Sequence, residues 1–310
     1  MKRRSVIALA CAVLVVGVAA VTIGLARGGS PASIAPPAVP PARPVVSLAR
    51  GALALARQDG NRVVALSLER EGRAARARVT VLGPSGNGVG GLAVTLDPGV
   101  HATPCGRGCY RALLRHPRTS VVVRVGRPGG RVSRTTFPLP HAWPVAASAA
   151  LKRVERTLRS SPSIVYREHL ASAPGHAITS LWRIIAPNRL AYTVDNGSAG
   201  VVIGSRRWDR DAAGGPWLRS SQEPLHLPAL PWGARVQNVF LLDPPVGRQG
   251  QLIRFALFDP ATPAWYEATV DARSDRIRSV RMTGASHFMR DDYLAYDSAA
   301  PIRPPRAAAK

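Results

Sequence analysis

Hydrophobic and polar positions divide the chain into four regions. Residues 5–26 carry no charged side chain and are mostly apolar. Between residues 61 and 140, apolar residues alternate with polar or small ones in short runs, which is typical of β-strands. Helical spacing follows from Ala147 to Leu158, and alternation returns after Pro162. The pattern predicts a mainly β protein that follows one apolar N-terminal helix.

The N-terminal stretch is long enough to cross a membrane. A helix over residues 5–26 spans the ~30 Å hydrocarbon core of a bilayer. We expect residues 1–27 to form a single-pass signal-anchor in the cell membrane, with the basic residues 2–4 in the cytoplasm and the C-terminal region outside it. The alternative is a cleaved secretory signal, whose apolar region is usually shorter. Lipidation of Cys11 is not expected, because the preceding residues fit a lipoprotein signal poorly.

A linker and a first domain are predicted next. Residues 28–60 are expected to be a linker, extended where proline is dense and less regular after residue 44. Residues 61–140 contain about seven short alternating runs separated by turn sequences rich in glycine and proline. This arrangement favours an immunoglobulin-like β-sandwich.

The second domain, residues 145–298, is predicted to be a curved antiparallel half-barrel with an N-terminal helix. Apolar residues recur at helical spacing as far as Leu158, Ser148 is the expected N-cap, and residues 160–162 are expected to end the helix. Because few other helices are predicted, this helix is expected to cover the concave face of the sheet. The candidate strands are 163–171, 177–186, 189–195, 199–205, 206–210, 216–219, 235–242, 250–258, 264–271, 276–283 and 286–296.

Two further segments of the second half are predicted to lack regular structure. Residues 220–233 contain three prolines and are expected to cross irregularly between strands. The tail, residues 299–310, is expected to be disordered.

The charge balance is strongly basic, with 42 Lys and Arg against 18 Asp and Glu and a formal net charge of +24. Such a surface favours polyanions, and in the cytoplasm it would suggest nucleic-acid binding. The arginines are spread along the whole chain, and the predicted topology places them outside the cell, so no nucleic-acid partner is expected. The remaining interpretations are a solvated basic surface and attraction to anionic lipid headgroups or other envelope phosphates.

Cys105 and Cys109 are the local signal with the most specific chemistry. The two glycines between them let a short loop turn tightly enough for a disulfide, which persists outside the cytoplasm. A metal or redox pair is the alternative. It would need further ligands such as His101 or His116, because two thiolates alone do not complete a tetrahedral site.

Several motifs, in order along the chain, resemble the extracytoplasmic C-terminal region of actinobacterial copper-resistance membrane proteins of the CopD type. That region has a YtkA-like immunoglobulin-like domain followed by a further β-rich domain. The second domain is also similar by pattern to LolA-like half-barrels, found in periplasmic lipoprotein carriers and envelope-stress regulators. The family's multi-span transport domain is missing, so transport activity is not implied. The motifs are residues 61–65 (NRVVA), 79–84 (VTVLGP), 103–111 (TPCGRGCYR), 208–210 (WDR), 258–265 (FDPATPAW), 281–283 (RMT) and 285–289 (ASHFM).

The resemblance implies an accessory or sensory role in copper homeostasis, with a multi-span copper-transport protein as a partner. Its candidate copper ligands are His287, Met289 and Met282, because imidazole and thioether groups both bind copper. Period-two geometry places His287 and Met289 on one face of a strand. Met282 is expected to face away unless a bulge near Gly284 intervenes. The alternative is that these side chains only fill a core.

Aromatic residues are concentrated in the second domain, and they suggest an alternative function. In a half-barrel they either fill the core under the helix or line a groove for acyl chains. The groove interpretation predicts a carrier of lipid or lipoprotein, or an envelope-stress sensor. Its candidate groove residues are Trp182, Trp208, Trp265 and Tyr266.

Catalytic signatures are missing from the sequence. We find no Ser-His-Asp arrangement, phosphate-binding glycine loop or zinc-protease motif, so an enzyme is not expected. The acidic pair Asp291 and Asp292 is interpreted as loop or edge charge. Copper is the one cofactor to consider, and the membrane and lipid are the expected partners.

Overall fold

The computed structural model describes residues 46–115, 119–140, 142–242 and 251–305. This part of the chain is mainly β, with 21 strands that pair antiparallel and one α-helix, as predicted. The helix is α1 (Ser148–Ser160). The strands are β1 (Leu53–Asp59), β2 (Arg62–Glu71), β3 (Ala74–Leu82), β4 (Ala93–Leu96), β5 (Val100–His101), β6 (Thr103–Gly106), β7 (Cys109–Leu114), β8 (Ser120–Gly126), β9 (Val132–Pro138), β10 (Val145–Ala146), β11 (Ser163–Ala171), β12 (Ala177–Ile185), β13 (Arg189–Val194), β14 (Ala199–Ile203), β15 (Arg206–Arg210), β16 (Leu218–Ser221), β17 (Gln237–Leu241), β18 (Leu252–Asp259), β19 (Ala264–Asp271), β20 (Arg276–Gly284) and β21 (His287–Tyr296).

The first nine strands form two sheets, which we call the sandwich. A five-stranded sheet in the order β1-β2-β3-β7-β6 lies against a four-stranded sheet in the order β5-β4-β8-β9. Alternate residues of both sheets, including Leu66, Val79, Val123 and Phe137, are buried between them. The sandwich begins with β1, inside the segment 28–60 that was predicted to be a linker. Its sequence LALARQD pairs along its full length with β2.

The predicted disulfide between Cys105 and Cys109 is confirmed. It closes the hairpin between β6 and β7, where Gly106 and Gly108 both have positive φ angles. The tip of this hairpin lies directly on the loop that contains Gly88. Gly108 has no room for a side chain there, because a Cβ would lie 2.6 Å from Val81 O and 2.8 Å from Val89 N.

We expect Gly108→Ala to destabilise the sandwich more than Gly129→Ala does. The two glycines have φ angles of +73° and +72°, but a Cβ on Gly129 has no neighbour within 4 Å. Both substitutions therefore incur the left-handed penalty of about 1–2 kcal/mol, and only Gly108→Ala adds a backbone clash of about 1–3 kcal/mol. Urea unfolding of both variants measures the difference, and equal free energies of unfolding would contradict the close approach.

The remaining strands form one open twelve-stranded sheet. Its order is β10-β17-β18-β19-β20-β21-β11-β12-β13-β14-β15-β16, and its two edge strands, β10 and β16, do not pair with each other. The sheet is therefore not a closed barrel. The bounds of β11, β15 and β19 agree with the predicted strands 163–171, 206–210 and 264–271.

Helix α1 covers one face of this sheet, which we call the helix face. Its buried side chains Leu151, Val154 and Leu158 are those that the helical spacing predicted. Ser148 is not the N-cap, because the helix begins at Ser148 itself and the capping position is Ala147, which makes no side-chain bond.

The opposite, outer face of strands β17–β21 packs against the sandwich. Phe258, Trp265 and Phe288 from this face are buried with Ala56 and Val63 of the sandwich in one apolar cluster. An ion pair between Arg57 and Glu267 flanks the contact. Further polar bonds join the two units from Ser286 Oγ to Pro84 O at 2.9 Å and from Asn238 Nδ2 to Ala49 O at 2.9 Å. The sandwich and the twelve-stranded sheet therefore share buried surface and are not separated by a linker.

Part of the tail is packed rather than disordered. Ile302 is 1% exposed and lies with Ala191 and Val201 on the outer face of β13 and β14. Arg189 Nη1 donates a hydrogen bond to Ile302 O at 3.1 Å. The prediction of a disordered tail is therefore wrong for residues 299–305, and residues 306–310 lie outside the described part.

The predicted anchor at residues 1–27, with Cys11, lies outside the described residues, as do linker residues 28–45 and His116. Within the described ranges, no helix is long and apolar enough to span a bilayer.

Candidate ligand-binding site

A cavity of about 80 Å³ lies between the helix face of the twelve-stranded sheet, the end of α1 and an irregular segment. We call this segment, residues 222–236, the strap; it connects β16 to β17. The cavity wall is mostly apolar, and strands β11, β12, β13, β20 and β21 supply its floor. The lining residues are Leu158, Ile164, Tyr166, Glu168, Trp182, Ile184, Leu190, Leu227, Pro228, Ala229, Leu230, Pro231, Met282, Met289, Asp291 and Tyr293.

The strap is held over the cavity by a few specific contacts. Leu227 N donates to Pro187 O at 2.8 Å, and Gly233 N donates to Asp259 Oδ2 at 3.1 Å. Trp232 is buried and its Nε1 donates to Glu155 Oε1 of α1 at 2.8 Å. Between these anchors the strap contains prolines and forms no strand. It is therefore tied at both ends and lacks ladder hydrogen bonds in the middle.

A second, more open cleft lies on the other side of the strap. Its volume is about 340 Å³, and it is lined by Arg159, His226 and Trp232 together with strap residues 227–230. The same four strap residues also line the inner cavity. The strap is thus a thin wall between the cavity and the outside.

Aromatic rings form a row across the cavity floor, on neighbouring strands. Ring centroids are 5.5 Å apart between Tyr293 and Tyr166, 5.9 Å between Tyr166 and Trp182, and 4.7 Å between Trp182 and Tyr192. Each pair is directly opposite in the strand register. Gly200 faces the Tyr192 ring, where any Cβ would collide with it. Cross-strand pairing therefore builds a rigid aromatic wall.

A β-bulge brings one further tyrosine to this wall. In the pairing of β11 with β21, Val165 lies opposite Ala295 and Tyr166 lies opposite Tyr293, so Leu294 is left over. The extra residue places Tyr293 and Tyr296 on the same face, where their rings stack at 5.9 Å.

Two carboxyl groups lie inside the cavity. Glu168 on β11 and Asp291 on β21 are direct neighbours in the register. Trp182 Nε1 donates a hydrogen bond to Glu168 Oε2 at 3.0 Å. Asp291 is 4% exposed, and its Oδ1 atom accepts no hydrogen bond within the described chain. A buried carboxylate oxygen without a donor is costly, so it needs an explanation.

Burial also changes the acidity of this pair. Burial, and then the charge of Glu168, raise the pKa of Asp291 well above its ordinary value. Burial raises the pKa of Glu168, and the hydrogen bond from Trp182 partly opposes this. Among the described residues that line the cavity, none is basic. The pair therefore lacks an internal counter-ion, although the chain carries a net charge of +24.

We expect the free energy of unfolding to respond to Asp291 as pH rises. Because its folded pKa is raised, its contribution to stability is complete below the unfolded pKa of about 3.9 and is lost as pH rises toward the folded pKa. Asp291→Asn removes this loss, so the variant should be more stable than the wild type at pH 7, by about 1–3 kcal/mol.

Denaturant unfolding of both proteins from pH 4 to pH 8 measures this effect. The difference between the free energies of unfolding of the two proteins isolates the contribution of Asp291. It cancels the contributions of acids whose pKa is shifted in the opposite direction, such as Asp271, whose pKa the Arg278 hydrogen bond lowers to about 2. A difference that stays constant with pH would contradict the raised pKa of Asp291.

The predicted copper ligands are only partly brought together. Met282 and Met289 are direct cross-strand partners and both line the cavity. The prediction that Met282 faces away is wrong, because Ala285 and Ser286 form a turn between two strands and the strand is not continuous. His287 lies opposite Gly284 at the end of this hairpin and does not line the cavity. No group of three or more His, Cys, Asp or Glu side chains in the described ranges could hold a metal ion.

The four predicted groove residues lie in four different places. Trp182 lines the cavity. Tyr266 is buried in the core of the helix face, with its ring edge-on to Trp232 at 6.2 Å. Trp208 packs on the outer face near Ile302, and Trp265 is buried against the sandwich.

Neither a protein-family model nor a curated protein matches this chain.

Sequence reasoning missed Tyr166, Glu168, Asp291 and Tyr293. The interpretation of Asp291 as a loop or edge charge is wrong, because β21 lies between β20 and β11 in the interior of the sheet. One signal was present in the sequence. Strands β11 and β21 each have an acidic residue two positions from a tyrosine, so that Glu168 shares a face of β11 with Tyr166 and Asp291 shares a face of β21 with Tyr293. This is the face that becomes buried.

Proposed function

We propose that the protein is a membrane-anchored, extracytoplasmic, non-enzymatic binding protein that holds a ligand with an apolar body beneath the strap, as a carrier or a sensor. The observation that carries this proposal is the cavity, which is lined by apolar and aromatic side chains and closed by a segment without ladder hydrogen bonds. Apolar pockets with a few placed polar groups are typical ligand sites.

We also propose a fold class for each of the two units. We assign the sandwich to the immunoglobulin-like class and the twelve-stranded sheet to LolA-like half-barrels. The supporting features are two packed antiparallel sheets in the first unit, and an open sheet with one covering helix in the second. Likeness of fold alone does not identify a ligand.

The proposed location is supported by two features of the chain. Residues 5–26 have the length and composition of a membrane helix. The bond between Cys105 and Cys109 is of a kind that persists in oxidising compartments. On this basis the cavity lies outside the cytoplasm, in a protein tethered to the membrane.

Ligand passage requires movement of the strap. Residues 227–230 separate the cavity from the outer cleft, so their displacement would join the two spaces into one open groove. The cavity is small when closed, so a ligand longer than a few carbon atoms would keep the strap displaced.

Photo-crosslinking tests this function on the full chain in lipid nanodiscs. The probe is a ten-carbon alcohol carrying a diazirine, and mass spectrometry maps the labelled residues. We expect labels on the strap and near Met282 and Met289. Ala229→Trp fills the cavity from the strap and should abolish these labels, while residues 5–26 stay labelled by probe in the lipid.

Ala234→Trp is the matched control for the crosslinking experiment. Ala234 lies on the same strap but lines only the outer cleft. Labelling of the cavity floor should therefore be unchanged in this variant. Labels that are spread over the surface, or that survive Ala229→Trp, would contradict the proposed function.

A role in copper homeostasis, with a multi-span copper-transport protein as partner, is the second candidate. The observation that favours it is the direct pairing of Met282 with Met289 on the cavity wall, because thioethers bind Cu(I). Competition for Cu(I) against a chromogenic chelator tests this candidate. Replacing both methionines by leucine should weaken Cu(I) binding at least tenfold, and an unchanged affinity would exclude this site.

A further inference from the structure

We propose that the ligand of the cavity carries a primary ammonium group, which lies against Asp291 and Glu168 while the apolar part of the ligand lies beneath the strap. This inference rests on the proposed function and names the chemical class of its ligand. It starts from the acid pair, which neither the fold nor the core packing explains.

The open hydrogen-bonding position is at Asp291. The Trp182 indole already donates to Glu168 Oε2, whereas Asp291 Oδ1 is buried and has no donor within the described residues. Asp291 also lines the cavity, so a ligand there lies next to this carboxyl group. An N–H group of a ligand would provide the missing donor, and an ammonium donor forms the stronger, charge-assisted bond.

The aromatic wall favours the same group. Tyr166 and Tyr293 stack on each other beside the acid pair, and Trp182 stacks on Tyr166. Both faces of the Tyr166 and Tyr293 rings are covered by neighbouring rings, so these rings act by excluding water from the carboxylates, which strengthens a charge-assisted bond to an ammonium group. A neutral alcohol would gain less from these dry surroundings, and a carboxylate would be repelled by the acid pair.

The charge of the cavity is opposite to that of the chain. With a net charge of +24, the protein surface repels small cations and gathers anions. No basic residue among those described lines the cavity, so an anionic head group would meet two acidic side chains without compensation. The selectivity for a cation must therefore arise inside the cavity, and the acid pair excludes fatty acids and similar anions.

Proton balance gives the binding a characteristic pH dependence. Asp291 has ionisable neighbours on three strands. They are Glu168 and Tyr166 on β11, Asp292 and Tyr293 on β21, and Tyr266 on β19, which is near enough to sense the charge of Asp291. Helix α1 and the strap contribute only Leu158 and strap residues 227–231, all uncharged, to the cavity wall. At low pH the ammonium ion must displace the carboxyl proton of Asp291 into solvent, so its affinity should rise with pH.

Three probes with a common skeleton test the ammonium preference. They are 3-phenylpropylamine, 3-phenyl-1-propanol and 3-phenylpropanoate, titrated calorimetrically into the full chain in lipid nanodiscs. We expect the amine to bind at least tenfold more tightly than the alcohol, and the carboxylate to bind weakest. The amine affinity should rise between pH 5 and pH 8, whereas the alcohol affinity should not change.

Variants separate the carboxylate from the rest of the cavity. Asp291→Asn should weaken amine binding at least tenfold and leave alcohol binding unchanged. Asp292→Asn is the matched control, because Asp292 is the next residue of the same strand, points to the opposite face and pairs with Arg290. Because the charge of Asp292 helps to raise the pKa of Asp291, Asp292→Asn should not weaken amine binding, and it should leave alcohol binding unchanged.

The outcomes distinguish the inference from the proposed function. Equal affinities for amine and alcohol, or an Asp291→Asn variant that binds the amine normally, would overturn the ammonium inference and leave the proposed function standing. If no probe binds and the diazirine alcohol does not label the cavity, both are overturned. A short-chain lysophosphatidylethanolamine presents the same ammonium on a lipid headgroup. If it binds more tightly than the free amine, with the same loss in Asp291→Asn, the source of the ligand is lipid.

Discussion

Trp265→Ala is expected to lower the free energy of unfolding by about 3–5 kcal/mol, although Trp265 lies outside the candidate site. The side chain is 2% exposed and packs on Phe258 with ring centroids 5.1 Å apart. The same cluster contains Ala56 and Val63 of the sandwich. Removal of the Trp265 side chain leaves a cavity at the contact between the sandwich and the twelve-stranded sheet. The unfolding of the sandwich should then no longer be coupled to the unfolding of the sheet.

Guanidinium unfolding measured by far-ultraviolet circular dichroism and by tryptophan fluorescence checks this. Both the reference protein and the Trp265→Ala variant carry Trp143→Phe, because Trp143 packs against the sandwich core; the remaining tryptophans all belong to the twelve-stranded unit, so fluorescence reports mainly on that unit, whereas circular dichroism reports on both. The two curves should coincide for the reference protein and separate for Trp265→Ala. Leu113→Ala is the control, because Leu113 is an apolar residue of the sandwich that is 49% exposed. A loss below about 1 kcal/mol for Trp265→Ala would contradict a shared core.

Trp232→Ala is expected to have a comparable effect, about 3–5 kcal/mol, and to release the strap as well. Trp232 is buried, its indole N–H donates to Glu155, and its ring contacts Tyr266 edge-on. Without this anchor the strap is held by two backbone donors, Leu227 N to Pro187 O and Gly233 N to Asp259 Oδ2. Amide hydrogen exchange of Leu227 should accelerate at least tenfold, because opening of the strap exposes the bond from Leu227 N to solvent.

Trp232→Phe separates the two contributions of the indole. Phenylalanine keeps the apolar ring but lacks the donor to Glu155, so it should lose less stability than alanine and release the strap only partly. Exchange at Leu257 N, in the buried interior of β18, provides a reference that strap opening should not affect. Equal acceleration at Leu227 and Leu257 would indicate global unfolding and would contradict local release of the strap.

Much of the second unit was predictable because each of its elements follows a simple period. Alternation over 163–171 and 264–271 gives β11 and β19, and a helical spacing through Leu151, Val154 and Leu158 gives the buried face of α1. These signals are local, so neighbouring residues suffice to recognise them. The disulfide was predictable for the same reason, since its two cysteines are separated only by a short glycine-containing loop.

The start of the sandwich was missed because its first strand depends on a partner. Residues of β1 are as apolar as those of other strands, but they follow a proline-rich segment and contain two alanines. What fixes β1 is its register with β2 and the packing of Ala54 and Ala56 against Phe258 and Trp265, far away in the sequence. Such a contact has no local signature.

The cavity could not be predicted from the sequence, because it depends on the register between strands. Glu168 meets Asp291 only when β11 lies beside β21, and Met282 meets Met289 only through the turn after Gly284. The bulge at Leu294 then shifts the alternation so that Tyr296 joins Tyr293 on the aromatic wall. A shift of one residue in any of these pairings would send the side chains to the outer face.

Anomalous diffraction from a crystal of the full chain with 3-(4-bromophenyl)propylamine tests the central claim most directly, because bromine locates the ligand independently of any binding signal. The account predicts one bromine peak beneath the strap, with the ligand nitrogen within hydrogen-bonding distance of Asp291 Oδ1. A bromine peak confined to the outer cleft or to the contact between sandwich and sheet, with the cavity empty, would contradict it.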